Sequence, residues 1–513
     1  MKYLASLLLI LFVAAGCGDK SRQLVVLHTN DHHGMIFAET KDGHDVPLKD
    51  GPIGGISERA TLIKEARKSG EILLLDAGDM NASIQPFSNY FKGDLDVRLY
   101  SLLAYDAVTL GNNEFQTGIN DLKRQIEIAE FPFLGANVKY LNGDYVGSPW
   151  LIKTVNGIKV GVFGILTRST AEISPEDGVV ILDEIATAKE AVSYLKKEGC
   201  EVIIALTHMG FEDAYAHTTS FELAEAVRGI DLIIDGHSHS YISELSDKNI
   251  VAGIPVVSAG SWGRYLGRAQ LTMKKGKVTD FAWNVQTVRG VTADTATEDF
   301  LASYIAEAEE YFNSVIASST EEFPFEYSLP RKEETAIGNL LNDASVWYTE
   351  MVLEKDVDFA FMNGGTIRCG LPAGEIRINN TYEVVPFDNN IVIVEITGDK
   401  LITFFERVAS FSYGNGGFGQ VSKEVVYTVD YSESEKKGVL KNLSIGGKAV
   451  EPEKIYSFVT SDFISKGGNG HTLASDALMI TDTGINYRNG IIAYLKEMKT
   501  VSPLLDGRLT VIK

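Results

Sequence analysis

The first half of the chain repeats one pattern: a short apolar run, a polar cluster, then a stretch with apolar residues at helical spacing. Leu24-Val25-Val26-Leu27 closes on His28-Thr29-Asn30-Asp31-His32-His33-Gly34, and Glu71-Ile72-Leu73-Leu74-Leu75 closes on Asp76-Ala77-Gly78-Asp79. Asp106-Ala107-Val108-Thr109-Leu110 leads into Gly111-Asn112-Asn113-Glu114, and Glu201 to Leu206 into Thr207-His208-Met209-Gly210. Asp231 to Ile234 leads into Asp235-Gly236-His237-Ser238-His239, and Ile254 to Val257 into Ser258-Ala259-Gly260. Short continuous apolar runs bounded by turn residues read as strands buried on both faces. Their alternation with helical stretches such as Ile185 to Lys197 predicts a layered α/β domain. Gly157 to Leu166 reads as a further strand, and Lys274-Lys275-Gly276-Lys277 as the turn of a closing hairpin.

Beyond Val288 the pattern changes. Thr295 to about Ala317 is acidic, with Phe300, Leu301, Tyr304, Ile305, Ala308 and Phe312 at helical spacing. It reads as a linker between two domains or as the last helix of the first. A second α/β unit begins near Ser318. Ile337 to Tyr348 and Asp399 to Val408 read as helices, and Asp356 to Phe361, Ile391 to Ile396 and Val425 to Val429 as strands. Asn363-Gly364-Gly365, the glycine- and aromatic-rich stretch Phe411 to Gln420, and Gly467-Gly468-Asn469-Gly470 interrupt them. A chain of 513 residues is too long for one core. The expected organisation is 1–20 as signal and tether, 21–292 as the first domain, 293–317 as a linker helix and 318–513 as the second domain.

Composition narrows the class. With 45% apolar and 23% charged residues the chain is globular. A formal net charge of -22 argues against nucleic-acid backbones as partners, and an anionic substrate would need local cations. The start stands apart: Lys2 precedes a nearly continuous apolar run from Leu4 to Val13, then Ala14-Ala15-Gly16-Cys17. This is similar to a bacterial lipoprotein signal in which Cys17 is lipidated, although Ala14 stands where a larger apolar residue is usual; the alternative is an ordinary cleaved signal followed by a chance cysteine. The run is too short for a normal membrane span. The expectation is an exported protein anchored to a membrane by lipid and facing the periplasm or the cell surface. Cys200 and Cys369 fall in different domains, and no structural disulfide is expected.

The polar clusters carry the chemistry. In open α/β sheets ligands bind beyond the carboxyl ends of strands, and there the clusters place Asp31, His33, Asp79, Asn112, His208, His237 and His239. Side chains two apart in an extended segment point the same way, so Asp31 and His33 alone read as a cation-holding pair or as an ordinary strand-exit loop. Four of the nine histidines sit in these few turns, which chance explains poorly. These oxygen and nitrogen donors are too many for one tetrahedral ion. They suit two ions sharing a carboxylate, with Asp79 as the candidate bridge. Such a pair polarises a phosphoryl oxygen and supplies a nucleophilic hydroxide. The donor set admits Zn, Mn, Fe or Co. His28 reads as a packed strand residue, His32 as pointing away from the ions, and His44, His217 and His471 as surface.

The series Asp31-x-His33, Gly78-Asp79, Gly111-Asn112-x-Glu114, Thr207-His208 and Gly236-His237-Ser238-His239 resembles the calcineurin-like metallophosphoesterases. Leu27-His28-Thr29-Asn30-Asp31-His32-His33-Gly34 narrows the resemblance to the 5′-nucleotidase family. The resemblance spans nearly the whole chain after the signal. It implies an α/β fold: a four-layer α/β/β/α first domain, a linker helix and a C-terminal α/β substrate-binding domain. It implies one ion on Asp31, His33, Asp79 and His239 and another on Asp79, Asn112, His208 and His237, with Asn113 beside them at the reacting centre. In the second half it picks out Arg331, Asn363 and Arg368 for phosphate, Phe418 and Phe463 for the base, and Asn469 for ribose. It also implies that the second domain rotates to deliver substrate. Arg forks suit phosphate oxygens and aromatic faces suit a nucleobase, but a lone Phe in a glycine-rich stretch is as often a core plug.

The chain departs from the family at the catalytic dyad. The family usually reads Gly-Asn-His-Glu-Phe-Asp; here the order is Gly111-Asn112-Asn113-Glu114-Phe115-Gln116. An amide donates a hydrogen bond but has no proton to transfer near neutral pH, and general-acid help is worth roughly 10²–10⁴ in rate. Asn469 replaces a usual Asp, and Ala336 a usual Asn beside Gly338-Asn339-Leu340. The expectation is an exported, metal-dependent phosphohydrolase acting on nucleotides. It is either slowed or suited to better leaving groups, such as phosphoanhydrides and cyclic phosphodiesters. The alternatives are a nucleotide-binding relative with little turnover and a dinuclear hydrolase of a different ester. A nucleotide, two divalent ions and membrane lipid are the expected partners; the oligomeric state is open, with a monomer favoured.

Overall fold

The computed structural model describes residues 21–40, 48–81, 85–116, 118–170, 178–211, 218–387 and 389–513. Cys17 and its signal, His44 and His217 lie outside these residues. The chain divides into two compact units. One comprises the chain up to Met80, Tyr100–Phe115 and Ile126–Asp294; the other comprises Asn81–Leu99, Gln116–Gln125 and Thr295–Lys513. Two short segments from the first half of the sequence therefore belong to the second unit.

The first unit holds two six-stranded sheets. One runs in the order Lys277–Thr287, Tyr265–Lys274, Arg22–Thr29, Leu73–Asp76, Ala107–Thr109 and Phe133–Leu134. The other runs Ile250–Val251, Ile254–Val257, Leu232–Asp235, Val202–His208, Ile158–Leu166 and Trp150–Val155. Alternation of side chains across the strands explains their unbroken apolar character. Val202, Ile204 and Leu206 join Leu24, Val26, Leu73 and Leu75 in a core shared by both sheets. Ile203 and Ala205 face the other way, onto Ala188, Ala191 and Leu195 of the helix Glu184–Lys197. The helix Ile56–Lys68 buries Ile56, Ala60 and Ile63. Helices thus flank two stacked sheets, the four-layer architecture expected. Parallel register levels the strand ends: His28 pairs with Leu75, Leu75 with Ala107, and Thr207 with Asp235. The polar clusters that follow are thereby brought to one edge.

The second unit is built on a five-stranded sheet ordered Gly419–Val421, Phe359–Asn363, Ile455–Ser461, Asn390–Thr397 and Met479–Asn486. Ala360, Met362, Ile391 and Val459 pack with Ile337 and Leu341 of the helix Ala336–Met351 and with Ile491 and Leu495 of the helix Tyr487–Met498. Phe359, Phe361, Val392 and Phe458 face the helix Gly398–Ala409 through Leu401, Phe404 and Phe405. The acidic stretch read as one helix to Ala317 divides into a helix, Thr295–Phe312, and a strand, Val315–Ser319. Ala308 and Phe312 lie in the core of the second unit. Phe87, Tyr90 and Phe91 pack against the same helix, with ring centroids 5.8 Å (Phe87 to Phe312), 4.8 Å (Tyr90 to Tyr311) and 5.4 Å (Phe91 to Tyr304) apart. Cys200 and Cys369 are free thiols. Among the described residues no helix is long and apolar enough to cross a membrane.

Candidate metal centre

Asp31 and His33 follow the strand Arg22–Thr29, Asp79 follows Leu73–Asp76, and Asn112 and Asn113 follow Ala107–Thr109. His208 ends Val202–His208, and His237 and His239 follow Leu232–Asp235. Asp31, His33, Asp79, His237 and His239 all have left-handed backbones, with φ between 51° and 75°. Non-glycine residues rarely adopt that conformation. Its clustering marks a place where the surrounding fold holds the backbone for function. The glycines preceding the donors answer close packing. A Cβ on Gly111 would lie 2.2 Å from Asp79 Oδ1, and one on Gly236 would lie 2.6 Å from the Ala77 carbonyl oxygen.

The donors converge. His33 Nε2 and His239 Nε2 are 2.8 Å apart, and they lie 3.9 Å and 3.7 Å from Asp31 Oδ1. His208 Nε2 is 3.3 Å from Asp79 Oδ1, and Asp79 Oδ2 is 3.9 Å from His33 Nδ1. His237 Nδ1 lies 3.0 Å from Asn112 Oδ1. Two donor groups result, one of Asp31, His33 and His239 and one of Asp31, Asp79 and His208. Asp79 turns an oxygen toward each side, and Asp31 belongs to both groups, a sharing of which the motif spacing gives no sign.

The chemistry of the set fits divalent cations. His208 donates from Nδ1 to the Ala77 carbonyl at 2.8 Å, which leaves its buried Nε2 facing Asp79 Oδ1 at 3.3 Å. Burial pushes His33 down to about 4 and lowers His239, so both imidazoles are neutral at neutral pH and offer lone pairs. Burial drives Asp31 well above the usual carboxylate range. Burial acts on Asp79 in the same sense, but the His208 charge outweighs it and holds that carboxyl below its usual value. Burial works against a charged His208, and Asp79 holds it up to about 10. Two buried carboxylates among imidazoles are costly alone and favourable around positive charge. Bound metal would take the place of the protons they share.

Three residues support the donors: Asn30 and Glu114 stand in the quoted motifs with no role read for them, and Trp262 lies outside the motifs. Asn30 Nδ2 donates to Asp31 Oδ2 at 2.7 Å, and Asn30 Oδ1 accepts from the Ala259 N–H at 2.9 Å. Glu114 accepts from the backbone N–H groups of Gly111 (2.7 Å), Met80 (2.8 Å) and Asp79 (3.1 Å), which ties two donor turns together. Trp262 donates its backbone N–H to the Asp31 carbonyl at 2.7 Å, and its ring lies 4.7 Å from the His33 ring. The glycine-flanked Gly260-Ser261-Trp262-Gly263 after a strand is the only sequence signal for that ring.

Asn113, at the altered dyad, is buried among the donors. Its Nδ2 lies 2.7 Å from His33 Nδ1, its Oδ1 accepts from Asn112 Nδ2 at 2.9 Å, and its backbone N–H donates to Asp79 Oδ1 at 2.8 Å. Gln116 is half-buried in the turn after Asn113–Phe115.

In the second unit, Arg331 and Arg368 converge on Tyr327. The Arg331 guanidinium lies 3.9 Å from the Tyr327 ring centroid, and Arg368 Nη1 donates to the phenol oxygen at 2.9 Å. Among the described residues neither arginine pairs with a carboxylate; Arg331 is buried and donates to the Tyr327 carbonyl, so the two cations carry no neutralising acid. Asn363 Nδ2 donates to the Gly416 carbonyl at 3.1 Å and its Oδ1 accepts from Thr366 at 2.6 Å, which holds the glycine-rich stretch beside them. Asn469 is exposed, with φ 55°.

The stacking role expected of Phe418 is not available to it. The ring is 0% exposed and forms part of the core with Phe361, Phe404 and Tyr427, because the strand Gly419–Val421 pairs with Phe359–Asn363 and carries it inward. Phe463 is 41% exposed, so its ring is open to a base. The unexpected aromatic here is Phe387, half-buried, with the Arg368 guanidinium 5.0 Å from its ring. Ile391 pairs with Ser461, and the Asn390 N–H donates to Asp462 at 3.1 Å, which places Asn390 beside the residue that precedes Phe463. An apolar residue in a polar turn after Pro386 was the available clue. His471 is not at the surface either: it is buried against Phe361, Phe404 and Phe411.

Helices flanking two stacked sheets, with Asp, Asn and His donors at the carboxyl ends of the strands, define a calcineurin-like phosphoesterase, and residues 24–241 match the model of that family. Residues 315–476 match the 5′-nucleotidase C-terminal domain. The chain is 29% identical to the 5′-nucleotidase of Vibrio cholerae serotype O1, over 91% of this chain and 89% of that protein. It is also 29% identical to the 5′-nucleotidase of Diplobatis ommata, over 99% of this chain and 93% of that one. The crystal structure of a 5′-nucleotidase precursor from Thermus thermophilus is similar with a TM-score of 0.65 and 28% identity, covering 96% of this chain and 99% of that one. The chain belongs to the 5′-nucleotidase family and is a hydrolase of phosphate esters.

Proposed function

We propose that this chain hydrolyses nucleotides at a two-ion centre and favours substrates whose leaving group departs without a proton. The observation that carries the reading is the pair of donor groups joined through Asp31, with Asp79 offering an oxygen to each. Two divalent ions held there would supply a hydroxide nucleophile at neutral pH. The chain's own residues do the rest. Glu114 and Asn30 fix the donor turns, and Arg331 and Arg368 bind phosphate oxygens. Phe463 and Phe387 offer faces to the base, and Asn469 a carbonyl to ribose. Asn113 donates a hydrogen bond from its amide but gives no proton to a leaving oxygen. Phosphoanhydrides and cyclic phosphodiesters tolerate that loss better than a nucleoside 5′-oxygen does. The signal-like start ending at Cys17 supports an exported, lipid-anchored setting.

A second reading, a nucleotide-capturing relative with little turnover, draws on the same Asn113, whose amide is already engaged with His33 and Asn112. One experiment separates the two: product formation, followed by chromatography, from AMP (adenosine and phosphate), ATP (ADP or AMP and phosphate), a UDP-sugar (UMP and sugar phosphate) and 2′,3′-cyclic AMP (a ring-opened monoester), with and without Mn²⁺ or Zn²⁺, alongside metal content. Faster turnover of ATP or the cyclic ester than of AMP supports the hydrolase. A metal-loaded protein that forms no hydrolysis product from any of them leaves only capture.

A further inference from the structure

The helix Tyr487–Met498 carries a buried cation that no motif marks. Arg488 is 2% exposed. Its Nε donates to the Val385 carbonyl at 3.0 Å, and its Nη2 donates to the carbonyls of Pro386 at 3.0 Å and Phe387 at 2.9 Å. Its Nη1 donates to Asn89 Oδ1 at 3.3 Å, and the guanidinium lies 3.9 Å from the Tyr382 ring centroid. Three consecutive carbonyls therefore share one guanidinium.

The segment that receives these bonds joins the helix Ile378–Val384 to the strand Asn390–Thr397. Val385 to Phe387 belong to neither, so among the described residues their carbonyls have no ladder or helical partner of their own. A planar fork with fixed donor directions meets several such acceptors at once; an ammonium on a flexible stem does not. The same segment presents the Phe387 ring to Arg368 at 5.0 Å and leads, at Asn390, into the contact with Asp462 beside Phe463. The backbone that Arg488 grips is the backbone that aims Phe387.

We infer that Arg488 is a positioning residue for nucleobase recognition: it meets no substrate and sets where the Phe387 ring stands. This rests on the nucleotide reading above. A residue that only stabilises the fold would lower the melting temperature and leave substrate discrimination alone.

The test compares Arg488→Lys, Phe387→Ala and the double variant in kcat and KM, using the best nucleotide substrate and ribose 5-phosphate, which has no base. Arg488→Lys is expected to raise KM for the nucleotide about tenfold, the scale of a loosened stacking contact, with kcat and the ribose 5-phosphate parameters unchanged. The double variant should be no worse than Phe387→Ala, since both act through one ring. Equal effects on both substrates, or additive effects in the double variant, would overturn the inference. Should Arg488→Lys fail to fold, Asn89→Ala frees one arm of the fork and keeps the cation; a nucleotide-selective rise in KM supports the inference and an unchanged KM rejects it. If the wild type turns over no nucleotide, calorimetric binding of AMP reads the same comparison. A wild type that neither cleaves nor binds AMP rejects the nucleotide reading itself.

Discussion

Asp31, His33, Asp79, His208, His237 and His239 sit at or just after the ends of buried parallel strands, and the register of those strands brings them together. Arg331, Arg368 and Phe387 sit on a short 3-10 turn and on irregular connections, and Phe463 on the one-turn helix Asp462–Ser465, places that packing rather than strand register decides. In the first case a donor's distance from its strand end nearly specifies its place. In the second the same residue type serves opposite purposes, as Phe418 in the core and Phe463 in the open show. A site built on a sheet edge is written into local sequence; a site built on loops is written into the fold.

The sharpest way to break this contrast is at the donors. His208→Ala should remove bound metal, measured by elemental analysis, and lower kcat/KM for every substrate by more than the ~10²-fold cost of disturbing an outer-shell partner. Asn469→Ala should leave metal content untouched. If His208→Ala retains its metal, the buried Nε2 is not a ligand.

Restoring the dyad comes next. Asn113→His together with Gln116→Asp should raise AMP turnover by about 10²-fold, the low end of general-acid assistance. A flat or lower rate means that proton transfer is not the bottleneck.

In the second unit the effects should be confined to nucleotide binding. Arg368→Ala is expected to raise KM for phosphate-bearing substrates by roughly 10–100-fold, the value of one or two charge-assisted hydrogen bonds. Metal content and melting temperature should hold.

The two phenylalanines then separate packing from recognition. Phe418→Ala should cost about 3–5 kcal/mol of stability in denaturant titration, with KM unchanged in the folded fraction. Phe463→Ala should cost about 1–3 kcal/mol of nucleotide binding with stability unchanged. Equal losses of stability in both would end the distinction.

The mildest effect concerns acid. Burial pushes His28 down to about 3 and His471 down to about 4, from 6.5. The unfolded chain therefore takes up protons first as pH falls. The stability these neutral rings contribute is full above pH 6.5 and is lost as pH drops toward the folded values. The urea midpoint should decline from pH 7 to pH 4, and His471→Leu should flatten part of that decline. An unaltered slope would show that His471 is not among the groups responsible.

The strands, the layers and the donor turns were legible because fully buried parallel strands are continuous apolar runs and their exits carry glycine, acid and imidazole at fixed offsets. The supporting roles of Asn30, Glu114 and Trp262 were not: Glu114 and Asn30 stand in the motifs, but the backbone N–H groups they accept from carry no sequence signature, and Trp262 comes from a turn far along the chain. Phe418 misled because its glycine-rich neighbours signal close approach without saying what approaches. Here it is the chain's own core. Phe387 and Arg488 were hidden for a related reason: their partnership spans distant parts of the sequence and runs through carbonyl oxygens.

Asn81–Leu99 and Gln116–Gln125 leave the first half of the sequence and fold with the second unit. A cut at the apparent boundary near Asp294 would strip Phe87, Tyr90 and Phe91 of the aromatic wall formed by Tyr304, Tyr311 and Phe312. Neither half is a movable cassette. Recombination between relatives at that boundary would yield mismatched chimeras unless both short excursions travelled with the C-terminal part, so the two halves must be inherited, and engineered, as a matched set.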